Sequence, residues 1–213
     1  MAVLARVRQA WASRAAPRRA RHGAGFAPLS GRVGAPGAPT IVALVFRGVS
    51  SSEVDLPVAR LAEQMSATVV FVGPEVGMVH GVDPSRAIEV SCRPDDAPFA
   101  DVLVVPGGLG WKQVIDDDEV RSWLDRAAAG ARGILAMSTG SLLLASVGRL
   151  AGRSATGHWL AEADLAALGA TVATARTATD DGGQVVTASG ARAALSVVDA
   201  LADHARWSEW SPE

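Results

Sequence analysis

The chain has 213 residues, 49% hydrophobic and 20% charged, which is the composition of a globular domain. A single cysteine, Cys92, excludes an internal disulfide framework and a multi-cysteine zinc site. The formal charge of −2 excludes a globally basic nucleic-acid binder, and no stretch reaches about 18 consecutive apolar residues, so no membrane span is expected.

The near-neutral total conceals an asymmetry. Residues 1–40 hold seven arginines and no acidic residue, leaving 13 basic against 22 acidic residues in the remainder, a net of −9. Residues 1–39 run from an Ala/Arg stretch into a Gly/Pro-rich one with few apolar side chains to bury, and they read as a disordered basic tail. Three roles attach to such a tail: an organellar transit peptide, an arm for nucleic acid or another anionic surface, or a plain unstructured extension. No apolar h-region follows the charges, which disfavours a secretory signal. The body is expected over 40–206, with a short C-terminal tail over 207–213.

From Thr40 the texture changes. IVALVF (41–46) is a short β-branched run of the kind that forms a strand buried on both faces. Residues 54–65 show helical spacing, with Leu56, Ala59, Leu61 and Met65 offered as the buried face. TVVFVG (68–73) predicts a second buried strand, and extended pieces follow near Met78 and over 87–91. DVLVVPGG (101–108) is a strand that stops at a Pro-Gly-Gly turn. Residues 118–129 predict a helix with acidic residues in its first turn, where the helix dipole favours them. GILAM (133–137) is another buried strand and runs directly into a helix over 139–147. A helix over 158–168, two short strands within 170–179, the strand QVVTA and a last helix over 192–204 complete the pattern. Strands alternating with helices predict an α/β sandwich: a mostly parallel sheet with helices on both faces.

In such a sheet ligands bind at the carboxyl ends of the strands. Two ends stand out. At Gly107-Gly108 the missing side chains let the backbone approach a ligand, although by itself this is a weak signal and a plain tight turn is the favoured explanation. At Ser138-Thr139-Gly140 a hydroxyl stands at an abrupt strand-to-helix junction, the geometry of a nucleophile elbow. The competing reading is that Ser138 only caps the helix.

DVLVVPGG, AMSTGSLLLASVGRLAGRSATGHW and VVTASGARAAL, in that order, resemble the DJ-1/PfpI superfamily, which has a class I glutamine amidotransferase-like fold. The resemblance runs from about Ile41 to His204. It is nearest the isonitrile-hydratase-like branch and the ligand domains of AraC-type regulators. It implies a flavodoxin-like sandwich, a small-molecule ligand and a homodimer; composition makes a cytoplasmic location the default expectation, and no cofactor or metal is expected. It also implies site residues: Ser138 in the place of the nucleophilic cysteine, Glu53 as the facing acid in preference to Asp55, and Gly107, Gly108, Thr139 and Gly140 around an anion-binding pocket. His158 falls in the Thr-His-Trp segment as Gly-His-Trp. Ser196 stands where relatives often carry Asp.

The departure at residue 138 shapes the expected chemistry. A thiol at a helix N-terminus is readily made a thiolate, whereas a serine hydroxyl is a weak nucleophile without a positioned base. Three functions are expected in order: a binding module whose catalysis is weakened or lost, an isonitrile-hydratase-like hydro-lyase using Glu53 and Ser138, and a hydrolase pairing Ser138 with His158. His80, His204 and Cys92 are expected to be packing or surface residues, and Asp116 to Glu119 a solvated helix start. No helix-turn-helix follows the domain, so a regulatory role implies a separate partner, and nucleic acid is an expected partner only through the tail or such a regulator.

Overall fold

The computed structural model describes residues 29–180 and 182–207. Residues 1–28 of the tail expected over 1–39, and residues 208–213 of the tail expected over 207–213, lie outside them; Trp207 belongs to the last helix.

The elements follow in chain order: β1 (Thr40–Leu44), α1 (Ser51–Met65), β2 (Thr68–Val72), β3 (Gly77–His80), β4 (Ala87–Val90), β5 (Val102–Val105), α2 (Trp111–Val114), α3 (Asp118–Gly130), β6 (Gly133–Met137), α4 (Gly140–Ser146), β7 (Ser154–Ala155), α5 (Glu162–Ala167), β8 (Thr171–Val172), β9 (Thr177–Thr179), β10 (Val185–Ala188), α6 (Ala191–Ala194) and α7 (Val198–Trp207). Six strands form one sheet in the order β2-β1-β5-β6-β10-β9, parallel throughout except for the antiparallel edge strand β9. β5 and β6 are buried along their whole length. Such strands need apolar residues on both faces, which is why they read as unbroken apolar runs in the sequence. Helices α1, α6 and α7 pack together on one side, and α2, α3 and α5 gather around α4 on the other. Among the described residues no helix is long and apolar enough to cross a membrane.

Four expectations are corrected. Helix α1 begins at Ser51 and buries Val54, Pro57, Val58, Leu61, Ala62 and Met65, so Leu56 and Ala59 point outward. Pro57 lies inside the helix and has no N–H to give the Glu53 carbonyl. The helix expected over 158–168 is a 3₁₀ turn at Trp159–Ala161 followed by α5. The helix expected over 192–204 breaks between α6 and α7, and the Ser196 hydroxyl closes the break by donating to the Ala193 carbonyl at 2.7 Å. Finally, residues 29–39 are not a free tail. The Leu29 N–H donates to Ala87, Arg32 exchanges both backbone hydrogen bonds with Val69, and the Gly34 N–H donates to the Thr68 hydroxyl. Without them the β2 edge would present unpaired backbone groups to water, a hazard that paired chain removes.

Candidate active site

The chain runs from β1 outward to β2 and returns to β5 on the other side of β1, so the order reverses between β1 and β5. A reversal of this kind opens a crevice at the carboxyl ends of the strands. The connection after β1 is stitched to the turn after β5: the Ser50 N–H donates to the Gly107 carbonyl at 2.8 Å, and Val49 bridges Gly108. These bonds aim the first turn of α1 at the end of the sheet.

Glu53 is therefore directed inward. It is 7% exposed, and its Oε2 accepts the Gly107 N–H at 2.7 Å. Burial pushes its pKa from 4.5 up to about 7, against the opposing pull of the Gly107 N–H and the Ser138 side chain. No charged group contributes to that shift. Asp55, two residues further along the helix, faces elsewhere and lies 2.9 Å from Arg86 at the foot of β4. Burial raises its pKa and Arg86 pulls it back.

Ser138 follows the last residue of β6 and must reverse the chain into α4 at once. It does so with φ of 54°, a left-handed conformation that costs a residue with a Cβ about 1–2 kcal/mol. Its N–H donates to the Ala188 carbonyl at the end of β10 at 2.8 Å, and the residue is 8% exposed. The Thr139 hydroxyl accepts the Gly108 N–H at 3.0 Å and faces the Gly108 carbonyl at 3.3 Å. Gly107 has no room for a side chain, because a Cβ there would lie 2.7 Å from the Thr139 nitrogen and 2.9 Å from the Ser138 Cβ. Gly140 abuts the Val105 carbonyl, which a Cβ would approach to 2.1 Å.

Glu53, Gly107, Gly108, Ser138, Thr139 and Gly140 thus lie together. Their hydrogen bonds differ from the expected pocket in one respect. The Gly107 amide is held by Glu53 and the Gly108 amide by Thr139. The amides of Thr139 and Gly140, at the start of α4, have no acceptor within the helix.

His158 is close in sequence to a contact of this centre: a Cβ on Gly157 would lie 2.8 Å from the Ser138 carbonyl. Its ring stacks on Trp159 with centroids 5.8 Å apart, and its Nδ1 accepts the Leu160 N–H at 3.2 Å. Burial lowers its pKa, which favours the neutral ring. A neutral imidazole that accepts at Nδ1 carries its proton on Nε2, and it has no further lone pair with which to deprotonate a hydroxyl.

Two contributors were not legible in the sequence. Gly190, after β10, is the third wall of the Glu53 pocket, since a Cβ there would lie 3.7 Å from Oε1. Its only signal was a Ser-Gly pair closing a strand. The side chain of Thr139 ties the two turns together, whereas the residue pattern suggested only its amide. Beneath the elbow the Ser141 hydroxyl donates to the Thr156 carbonyl at 2.8 Å, and the Thr156 N–H donates to the Thr187 hydroxyl at 2.9 Å. Among the described residues no group of three or more His, Cys, Asp or Glu side chains is placed to hold a metal.

Comparison with known proteins places these features in context. The family described as "DJ-1/PfpI family" matches residues 39–203. A stretch of 76 residues is 40% identical to isonitrile hydratase from Pseudomonas putida, covering 36% of this chain and 33% of that protein. The match therefore spans about a third of the hydratase. Among solved structures, a ThiJ/PfpI family protein from Pseudomonas syringae is 28% identical with a TM-score of 0.69, over 83% of this chain and 77% of that one. A two-domain protein from Anabaena variabilis, with DJ-1/ThiJ/PfpI-like and ferritin-like domains, reaches a TM-score of 0.71 at 18% identity, over 82% of this chain and 50% of that one. DJ-1 from Schizosaccharomyces pombe reaches 0.63 at 15% identity, over 81% of this chain and all of that one.

Proposed function

The chain belongs to the DJ-1/PfpI family, and from that premise we propose that it is a small-molecule-binding domain related to isonitrile hydratases, with the thiol chemistry of the site weakened or lost. The observation that carries this reading is the pairing of Ser138, at the strained elbow, with Glu53 as the acid directed at it among the described residues.

An aliphatic hydroxyl holds its proton about as tightly as water does, far above the range in which a carboxylate titrates. Against Glu53 at about 7, transfer of that proton is steeply uphill. A thiol near 8.5 in the same place is mismatched by about 1.5 units, or about 2 kcal/mol. Glu53 is thus adequate to a cysteine and inadequate to a serine. His158 brings no relief, because its Nδ1 is engaged with Leu160. The polar groups of the site remain: a buried hydroxyl, a carboxyl that exchanges its proton near neutrality and two amides at the start of α4 suit a small polar molecule. A homodimer belongs to the same proposal and is read by sedimentation.

A second reading is favoured by the Glu53 pKa alone. A carboxyl poised near neutrality can act as general base or acid on a bound water. Slow hydration of an isonitrile, R–N≡C plus water giving the N-formamide R–NH–CHO, then needs no covalent step at Ser138.

Formamide production from an alkyl isonitrile by the native protein, Ser138→Ala and Ser138→Cys decides between them. The binding reading expects the cysteine variant to exceed the native protein by at least about a hundredfold. It fails if the native protein matches the cysteine variant. Turnover that survives Ser138→Ala and disappears in Glu53→Gln establishes the second reading. Thermal stabilisation by the isonitrile, without product, is expected for the native protein.

A further inference from the structure

Most arginines of the body are committed to ion pairs, as Arg47 is with Glu75, Arg60 with Asp199 and Arg149 with Asp125. In a body with a net charge of −9 this is the expected fate of a guanidinium. Arg121 is held by the Ile115 carbonyl instead, and Arg176 and Arg192 depart further. Both are exposed, and neither faces a carboxylate among the described residues.

Their positions in the fold coincide. The Arg176 carbonyl, just before β9, accepts the Ser189 N–H at 2.8 Å. Arg192 stands two residues beyond Gly190, in α6. Ser189 and Gly190 are consecutive, and Gly190 is the backbone that walls the Glu53 carboxyl. The backbones of the two arginines therefore both adjoin the carboxyl end of β10, through Ser189 on one side and Gly190 on the other. Lys112, the sole lysine of the chain, follows the Gly107-Gly108 turn in α2 and likewise has no carboxylate partner among the described residues. Three cations without a carboxylate partner among the described residues thus belong to segments that adjoin the carboxyl ends of β5 and β10.

The centre itself is different. Glu53 meets an amide, a hydroxyl and a glycine, and no cation. Such a pocket repels an anion placed against Glu53 and accepts a neutral polar group. A guanidinium at the rim holds a carboxylate through paired N–H donors in a fixed fork.

We infer that the site takes a small molecule with two ends: a neutral polar head against Glu53 and Ser138, and a carboxylate tail held at the rim by Arg176 and Arg192. This rests on the binding reading above and adds the ligand's charge and its orientation.

The test is calorimetric titration of the full chain with isocyanoacetate and, separately, its methyl ester, at mildly acidic pH where Glu53 is neutral. The two probes share a head and differ in the charge of the tail. The ratio of the two affinities is the readout. In low salt the native protein is expected to bind the anion about tenfold more tightly than the ester, with Arg176→Gln and Arg192→Gln each lowering the ratio about threefold. The preference should collapse in about 1 M salt, where the screening length is about 3 Å. Arg126→Gln, which removes an exposed ion pair with Asp95 elsewhere, should leave the ratio as it is. Equal binding of anion and ester by the native protein, or a preference that survives both rim substitutions, overturns the inference and spares the binding reading. Failure of both probes to bind overturns the binding reading, and the inference with it.

Discussion

Replacing Glu53 by glutamine tests the electrostatics of the site without emptying it. The amide oxygen of Gln can still accept the Gly107 N–H now received by Oε2 at 2.7 Å, and the side chain keeps its size. Only the titration is lost. In the native protein the carboxyl has a pKa of about 7 against 4.5 for an exposed one, so the folded state holds its proton across a window in which the unfolded chain has released it. Stability then falls as pH rises through that window. The contribution is complete below 4.5, declines between 4.5 and about 7, and at higher pH amounts to a loss of about 3 kcal/mol at 1.36 kcal/mol per unit. Glu53→Gln has no such loss. Urea unfolding of both proteins across this range should give near-equal stabilities at the acid end and a variant more stable by about 3 kcal/mol at mildly alkaline pH. Subtracting the two curves removes every other titrating group. A difference that stays flat with pH, or that favours the native protein as pH rises, would refute the assignment of a desolvated, uncompensated carboxyl at this position.

Gly108→Ala should be the most damaging single methyl at the site: φ is 148° and the new Cβ would lie 2.3 Å from the Gly48 carbonyl, so a loss of more than about 3 kcal/mol is expected by denaturant unfolding. Thr139→Val keeps the shape of the elbow but leaves the Gly108 N–H without its acceptor, and should lower stability by about 1–3 kcal/mol in the same measurement. Ser138→Gly should raise the melting temperature, because relief of the positive φ is worth about 1 kcal/mol, while ligand-induced stabilisation is lost with the hydroxyl.

Much of the fold is visible in single segments. β6 could be bounded at Gly133–Met137 from sequence because a strand buried on both faces is an apolar run, here ended by a glycine and a serine. α3 was equally plain: Asp117 caps it by accepting the Val120 N–H at 3.1 Å, a local interaction between near neighbours. α1 was harder, since Ser50 to Ser52 carry no apolar period and the first turn is placed by the bond from Ser50 to Gly107. Leu29 and Arg32 look like tail residues until β2 and β4 supply the partners for their backbones. The break between α6 and α7 has no proline or glycine to announce it.

For the site the division is similar. Short-range pattern determined where the strands stop and that a hydroxyl occupies the elbow, because strand ends and helix starts are governed by residues within a few positions of each other; Glu53 was singled out by the resemblance to the family, not by the pattern. Tertiary structure alone decided which amides of the turn are engaged, how tightly Glu53 keeps its proton, that His158 has its Nδ1 engaged, and that the backbone of Arg176 is bonded beside Gly190. Those properties depend on burial and on contacts such as Glu53 with Gly107 and Thr139 with Gly108, between residues 54 and 31 positions apart, and they come into being only when the strands assemble.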